Sequence, residues 1–223
     1  MNIPVSYTKT IISFGLLLVF SYSPAQDAGF LIKKGDDFFY KEKFDSALLY
    51  YNRAVTADPN SYEAYFSRAA VYRKKRQYDL SISEYSKAIA KSPADSIEWL
   101  ASLYSGRGTM YESKMAWDSA LADYDKAIVI LPSSPNLWIR RGNLYYNMNN
   151  YEPALKDFSK AISIDGSDPE LYRSRSKTYY CLNQIDSALA DISTVMRFDS
   201  NYTNYNYKGL FHNRIGEYDS ALN

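Results

Sequence analysis

The chain has 223 residues, 46% apolar and 23% charged, with 26 Lys and Arg against 25 Asp and Glu. That is long enough for one substantial core, and a net charge of +1 leaves no electrostatic footprint for nucleic acid. The single cysteine, Cys181, excludes an intrachain disulfide and leaves the redox compartment open.

Residues 1–25 carry one charge, Lys9, ahead of the apolar stretch Ile11–Phe20 and the small residues Ser23 and Ala25. A basic start, a short apolar core and a small-residue end read as a secretory signal cleaved after Ala25. A helix needs about 20 apolar residues to span a bilayer, so this run is too short for an anchor. The expectation is an exported protein, periplasmic or extracellular, with no stable membrane span once the signal is removed.

Beyond residue 27 the chain repeats itself. Small residues recur at Gly35, Ala69, Gly108, Gly142, Ser176 and Gly209, at intervals of 34, 39, 34, 34 and 33. A second small column follows twelve residues after each, at Ala47, Ser81, Ala120, Ala154, Ala188 and Ala221. An aromatic follows the first column by three residues, at Phe38, Tyr72, Tyr111, Tyr145 and Tyr179, with His212 in the sixth copy. Such self-similarity marks stacked supersecondary units that bury their apolar faces only against one another. Each unit reads as two helices crossing where side chains are small. Pro59, Pro93 and Pro132 stop the second helix in the first three copies. Asp45, Asp79, Asp118, Glu152, Asp186 and Asp219 put negative charge at each second-helix start, where the helix dipole favours it.

These columns resemble the tetratricopeptide repeat, most closely in Trp138-Ile-Arg-Arg-Gly-Asn-Leu-Tyr145 followed by Tyr151, Ala154, Phe158 and Ala161. The resemblance covers residues 28–223. It implies an all-α solenoid, an α-α superhelix of about five complete hairpins plus a truncated sixth. The copies fall at 28–61, 62–95, 101–134, 135–168, 169–201 and 202–223. Copy five departs from the usual residue types, with Ser176, Ile185 and Val195, and is expected to pack less regularly.

The long second interval places an insertion at 96–100. Either it extends the first helix of copy three, with Asp95 and Glu98 as a capping box and Ile97 and Trp99 projecting, or it is a longer loop with Trp99 buried. The sixth copy reaches only about one turn of its second helix by Asn223. The pattern therefore implies incomplete cover for Leu210, Phe211, Ile215 and Tyr218, and a natural chain that continues.

No zinc spacing, phosphate loop or nucleophile elbow is present, and the carboxylates are periodic, which makes them helix caps and solvated faces. His212 reads as a packed or surface residue in the aromatic core column. Catalytic, metal and cofactor residues are expected to be absent. A basic residue precedes each small residue of the first helices, and Arg68, Arg107, Arg141 and Arg175 face Glu84, Asp123, Asp157 and Asp191. Four ion pairs follow, each worth only about 0–1 kcal/mol if exposed.

The resemblance implies that the first helices line a concave groove. Asn136, Arg140, Asn143 and Asn147 share one helix face by their spacing, as do Arg173, Lys177 and Tyr180. With Phe66 and Tyr146 they form the candidate partner-binding surface, suited to an acidic peptide or acidic protein surface. The carboxylate clamp of chaperone-binding relatives is not reproduced, since its first lysine and asparagine would fall at Ile32 and Asp36. The implied function is a protein–protein interaction scaffold outside the cytoplasm, not an enzyme. The competing reading is an extracytoplasmic sensory or regulatory module of a larger signalling or envelope protein.

Overall fold

The computed structural model describes residues 24–198 and 202–222. Among them are eleven α-helices and no strand. The first helices are α1 (Pro24–Phe39), α3 (Tyr62–Lys74), α5 (Ile97–Ser113), α7 (Pro135–Asn147) and α9 (Pro169–Cys181). The second helices are α2 (Phe44–Ala57), α4 (Tyr78–Lys91), α6 (Trp117–Ile130), α8 (Tyr151–Ile164) and α10 (Ile185–Phe198), and α11 (Tyr202–Leu222) ends the series. Every first helix packs on the second helix that follows, and every second helix on the next hairpin. The result is the expected solenoid. The signal reading of 1–25 lies almost entirely outside the described residues.

Local chemistry sets the helix ends. Asp58, Ser92 and Leu131 each precede a proline and end α2, α4 and α6 with ψ of 96°, 132° and 69°. Proline's ring excludes the helical region for the residue before it. The tight turns inside the hairpins are closed by a device the sequence pattern did not reveal. Glu42, Arg76, Met115, Asn149 and Asn183 all adopt a left-handed conformation, with φ between 57° and 60°. The next residue's N–H reaches back to the carbonyl of the aromatic column, as in Lys43 N to Phe38 O at 2.9 Å and Asn150 N to Tyr145 O at 2.8 Å. This is the Schellman closure of a helix, which glycine and asparagine accept most readily. Met115→Gly should therefore raise stability by about 1 kcal/mol, read as a higher urea midpoint with unchanged slope.

The small column has an aromatic partner in addition to the small residues expected. A Cβ built on Gly35 lies 2.3 Å from Tyr51 Cε1, one on Gly108 lies 2.9 Å from Tyr124 Cε1, and one on Gly142 lies 3.0 Å from Phe158 Cε1. The first helix thus rests on the second small column and on the aromatic ring one turn beyond it, since the Gly108 Cβ position is also 3.3 Å from Ala120 O and Ser81 Oγ donates to Ala69 O at 2.9 Å. Where copy five carries Ser176, the hydroxyl donates to Ala188 O at 2.8 Å and the crossing is kept. Copy five is consequently as regular as the others, with its own ion pair and turn.

The four ion pairs form, and they are not exposed. Arg107 Nε and Nη2 donate to both carboxylate oxygens of Asp123 at 2.8 Å each, and Arg141 and Arg175 grip Asp157 and Asp191 in the same way. Arg68 Nε and Nη2 both donate to Glu84 Oε2, and Lys87 takes Oε1. The Asp123 and Asp157 side chains are 4% exposed, against 16% and 18% for their arginines. Each guanidinium also lies over one or two aromatic rings, with Arg141 5.1 Å from the Trp138 centroid and 5.9 Å from that of Tyr145. Its remaining nitrogen reaches the second helix of the preceding hairpin, at Asn52, Ser86, Asp125 and Ser159 in turn. One arginine therefore ties three helices together. The pairs stitch neighbouring hairpins as well as the two halves of one.

The insertion resolves as a helix extension. α5 has 17 residues where α3, α7 and α9 have 13. Its cap is Ser96, with no side-chain cap bond, so Asp95 and Glu98 do not form the capping box. The sixth copy is one continuous helix through Leu222, and the turn expected at Tyr218 and Asp219 is absent. His212 is exposed on α11 instead of filling the aromatic core column.

Candidate functional site

The first helices converge on one side of the stack, where α1 touches α3 and α7 touches α9 directly. That side is the groove. Along α7, Asn136, Arg140, Asn143 and Asn147 are all exposed, as their spacing predicted. Arg140 leans back on α5, donating to Thr109 Oγ1 at 3.3 Å, and has no carboxylate partner among the described residues. Between α7 and α9 lies a small pocket of about 130 Å³ lined by Asn143, Tyr146, Phe158, Ser174 and Lys177. It holds amide, phenol and ammonium groups around an aromatic floor.

Two expected groove residues, Arg173 and Tyr180, behave differently. Arg173 is paired with Glu170 one turn earlier and donates to Asn204 Oδ1 at 3.2 Å, so its charge is already satisfied. Tyr180 stacks on Phe211 with ring centroids 5.1 Å apart and belongs to the apolar cluster under α11. It is half-buried there, because α11 packs over that end of the groove. Lys177 stands 5.1 Å over the Tyr207 ring, which positions its ammonium without neutralising it. Tyr146 lies 3.8 Å from Cys181 Sγ, and burial followed by that hydrogen bond pushes its phenol up to about 12, so it is a neutral donor at physiological pH.

Phe66 sits further along the groove, on α3, in a setting the sequence did not expose. Trp99, carried by the extra turn of α5, meets the Phe66 ring edge-to-face at 5.2 Å and the Tyr62 ring at 5.7 Å. Trp99 remains 40% exposed. Phe66 is therefore one wall of an aromatic shelf instead of an isolated contact. Behind the shelf the tyrosine of α4, Tyr85, runs beneath Gly106 of α5, where an added Cβ would lie 2.8 Å from its hydroxyl.

Among the described residues no group of three or more His, Cys, Asp or Glu side chains could hold a metal ion. No described helix is long and apolar enough to cross a membrane.

A file of helix hairpins with an open, polar inner face is a protein-interaction scaffold. Tetratricopeptide-repeat models match residues 32–96 and 135–168, so the chain carries tetratricopeptide repeats. It is 43% identical over 42 residues to Hsp70-Hsp90 organizing protein 1 of Arabidopsis thaliana, which is 19% of this chain and 7% of that protein. It is 34% identical over 70 residues to the DnaJ protein P58IPK homolog B of Oryza sativa subsp. japonica, which is 31% of this chain and 15% of that protein. The chain thus spans a small fraction of these relatives. Among solved structures, the C-terminal part of a TPR protein from Cytophaga hutchinsonii superposes with a TM-score of 0.75 at 19% identity, covering 83% of this chain and 72% of that one. A tetratricopeptide repeat protein from Parabacteroides merdae gives 0.71 at 18% identity, covering 88% and 77%. YrrB, described as a TPR protein with an unusual peptide-binding site, gives 0.64 at 18% identity, covering 80% and 90%.

Proposed function

We propose that this chain is an exported, non-enzymatic scaffold that holds an acidic peptide or acidic protein surface in the groove between α7 and α9. The observation that carries the reading is the juxtaposition of Asn143, Tyr146 and Lys177 around one pocket, with Arg140, one turn before Asn143, unpaired by a carboxylate among the described residues. Amide groups bind an extended peptide backbone, and two unneutralised cations favour carboxylates. Arg173 and Tyr180 contribute by holding α9 and α11 in place rather than by touching the ligand. Export rests on Lys9, the apolar stretch Ile11–Phe20 and the small residues before Gln26.

The test uses a blocked, fluorescein-labelled dodecapeptide of Glu and Ser, read by anisotropy against the protein lacking residues 1–25. Binding is expected to weaken as salt rises. Replacing Arg140 and Lys177 together by Glu should cost at least about tenfold in affinity with the helical circular dichroism unchanged, since like charges facing one another cost several kcal/mol. Undiminished binding by that variant overturns the reading.

A further inference from the structure

The departures from the repeat pattern converge on one place. In hairpin one the buried Tyr51 hydroxyl donates to Asp36 Oδ1 at 2.6 Å. In hairpin three the buried Tyr124 hydroxyl donates to Glu112 Oε2 at 2.8 Å and lies 3.2 Å from Thr109 Oγ1. Asp36 and Thr109 hold the same repeat position, just after the small column, and in hairpin two that position is Ala70. Tyr85 of hairpin two, 2% exposed, accordingly has no hydrogen-bond partner for its hydroxyl among the described residues. Among the described residues Ser92 Oγ is the buried side-chain polar atom left without a partner, so the Tyr85 hydroxyl instead reaches the surface as an unused donor.

Three further irregularities surround that hydroxyl. Gly106 stands where the neighbouring copies carry Ser67 and Arg140, and any side chain there would strike the Tyr85 ring, with a Cβ 2.7 Å from Cζ. The extra turn of α5, which α3, α7 and α9 lack, delivers Trp99 to Phe66. Arg140 crosses from α7 to Thr109, beside the opening. Both Arg140 and Arg73 act on Tyr85 electrostatically, and neither has a carboxylate partner among the described residues. Burial is the larger influence and pushes the Tyr85 phenol up, so it remains a protonated donor at physiological pH. Glu112, the acid on the same helix, is already engaged by Tyr124.

A glycine window over an unused donor, two cations and a half-exposed aromatic shelf make one composite subsite. From these we infer that the groove reads an aromatic residue next to an acidic one in an extended peptide. The ring lies on the shelf of Phe66 and Trp99, and the neighbouring carboxylate sits over Gly106, accepts from the Tyr85 hydroxyl and faces Arg73 and Arg140. Edge-to-face packing favours a ring over an aliphatic chain at such a shelf. This extends the acidic-ligand reading of the groove to a sequence preference and rests on it.

The probe is the same labelled Glu and Ser dodecapeptide, compared with a copy in which one central Ser is replaced by Phe beside a Glu. The Phe peptide is expected to bind the wild-type protein about tenfold more tightly, the size of a well-placed aromatic anchor. Trp99→Ala should abolish that preference and leave the Ser peptide's affinity unchanged. Ala70→Asp should also abolish the Phe preference, because the new carboxylate takes the Tyr85 hydroxyl as Asp36 takes that of Tyr51, and by repelling the ligand's acid it should weaken the Ser peptide as well. The latter variant is expected to stay folded with an unchanged or higher melting temperature, which separates loss of the subsite from loss of the fold. Equal binding of the two peptides by the wild-type protein overturns the subsite and leaves the acidic groove standing. A Phe preference that survives both substitutions also overturns it. Failure of either peptide to bind wild type overturns both readings.

Discussion

Asp123→Ala is expected to cost about 3 kcal/mol, and Asp157→Ala distinctly less. The two carboxylates are equally buried and grip their arginines with the same bidentate geometry. What differs is the arginine's remaining nitrogen. Arg107 has only the Ser86 hydroxyl, at 2.9 Å, whereas Arg141 has a second carboxylate, Asp125, at 2.6 Å. Removing one partner of a buried pair is damaging chiefly because it strands the other charge away from water. Arg107 would be stranded with no acid beside it, and Arg141 would not. The two carboxylates around Arg141 also raise its proton affinity above the ordinary arginine value, which puts both in attractive contact with the cation. Urea denaturation of both single variants orders the two costs. A double-mutant cycle on Arg141 and Asp157 should return coupling well above the ~0–1 kcal/mol of a surface pair. Equal costs for the two aspartates would mean that the third contact carries no energy.

The periodic features of this protein were legible because they repeat. Six small residues, five aromatics and four Arg–acid pairs at constant offset gave the hairpins, their order and the partners of the ion pairs. Burial of those pairs was not legible, since it depends on aromatic residues flanking each arginine, such as Trp138 and Tyr145, which read as core columns in their own right. The turn residues were hidden for a related reason. Glu42, Arg76 and Met115 are poor left-handed residues by composition, and the closure is imposed by packing of the two helices. On the groove face, Asn143 and Lys177 followed from helical spacing alone. Glu170 stands one turn before Arg173, so that neutralisation could have been read from the sequence, whereas the cover of Tyr180 by Phe211 depends on how α11 folds back. The Tyr85 subsite emerges only when each copy is compared with the others at the position of Ala70, where the signal is a missing group rather than a present one.

Alanine at the four small positions should give a graded series whose sign changes along it. Gly35→Ala is expected to be the most damaging, because its Cβ would sit 2.3 Å from a Tyr51 ring that is itself fixed by Asp36. No real Cβ contact is that short, so the hairpin must open, at about 3 kcal/mol or somewhat more for overpacking of a well-filled core. Gly108→Ala meets Tyr124 at 2.9 Å and the Ala120 carbonyl at 3.3 Å, and Gly142→Ala meets Phe158 at 3.0 Å. Their cost should fall to about 1–2 kcal/mol, since a shift of a few tenths of an ångström relieves each clash. Gly209, on α11, has nothing within 4 Å of its Cβ position. There the alanine's helix propensity acts alone and should stabilise by about 0.5–1 kcal/mol. Thermal melts of the four single variants test the series. Propensity by itself predicts that all four gain stability, and packing against the second-helix aromatics predicts three losses in the order of the distances and one gain. A melting temperature that rises for Gly35→Ala would remove the close ring contact as the basis of the hairpin, and with it the reason the small column repeats at all.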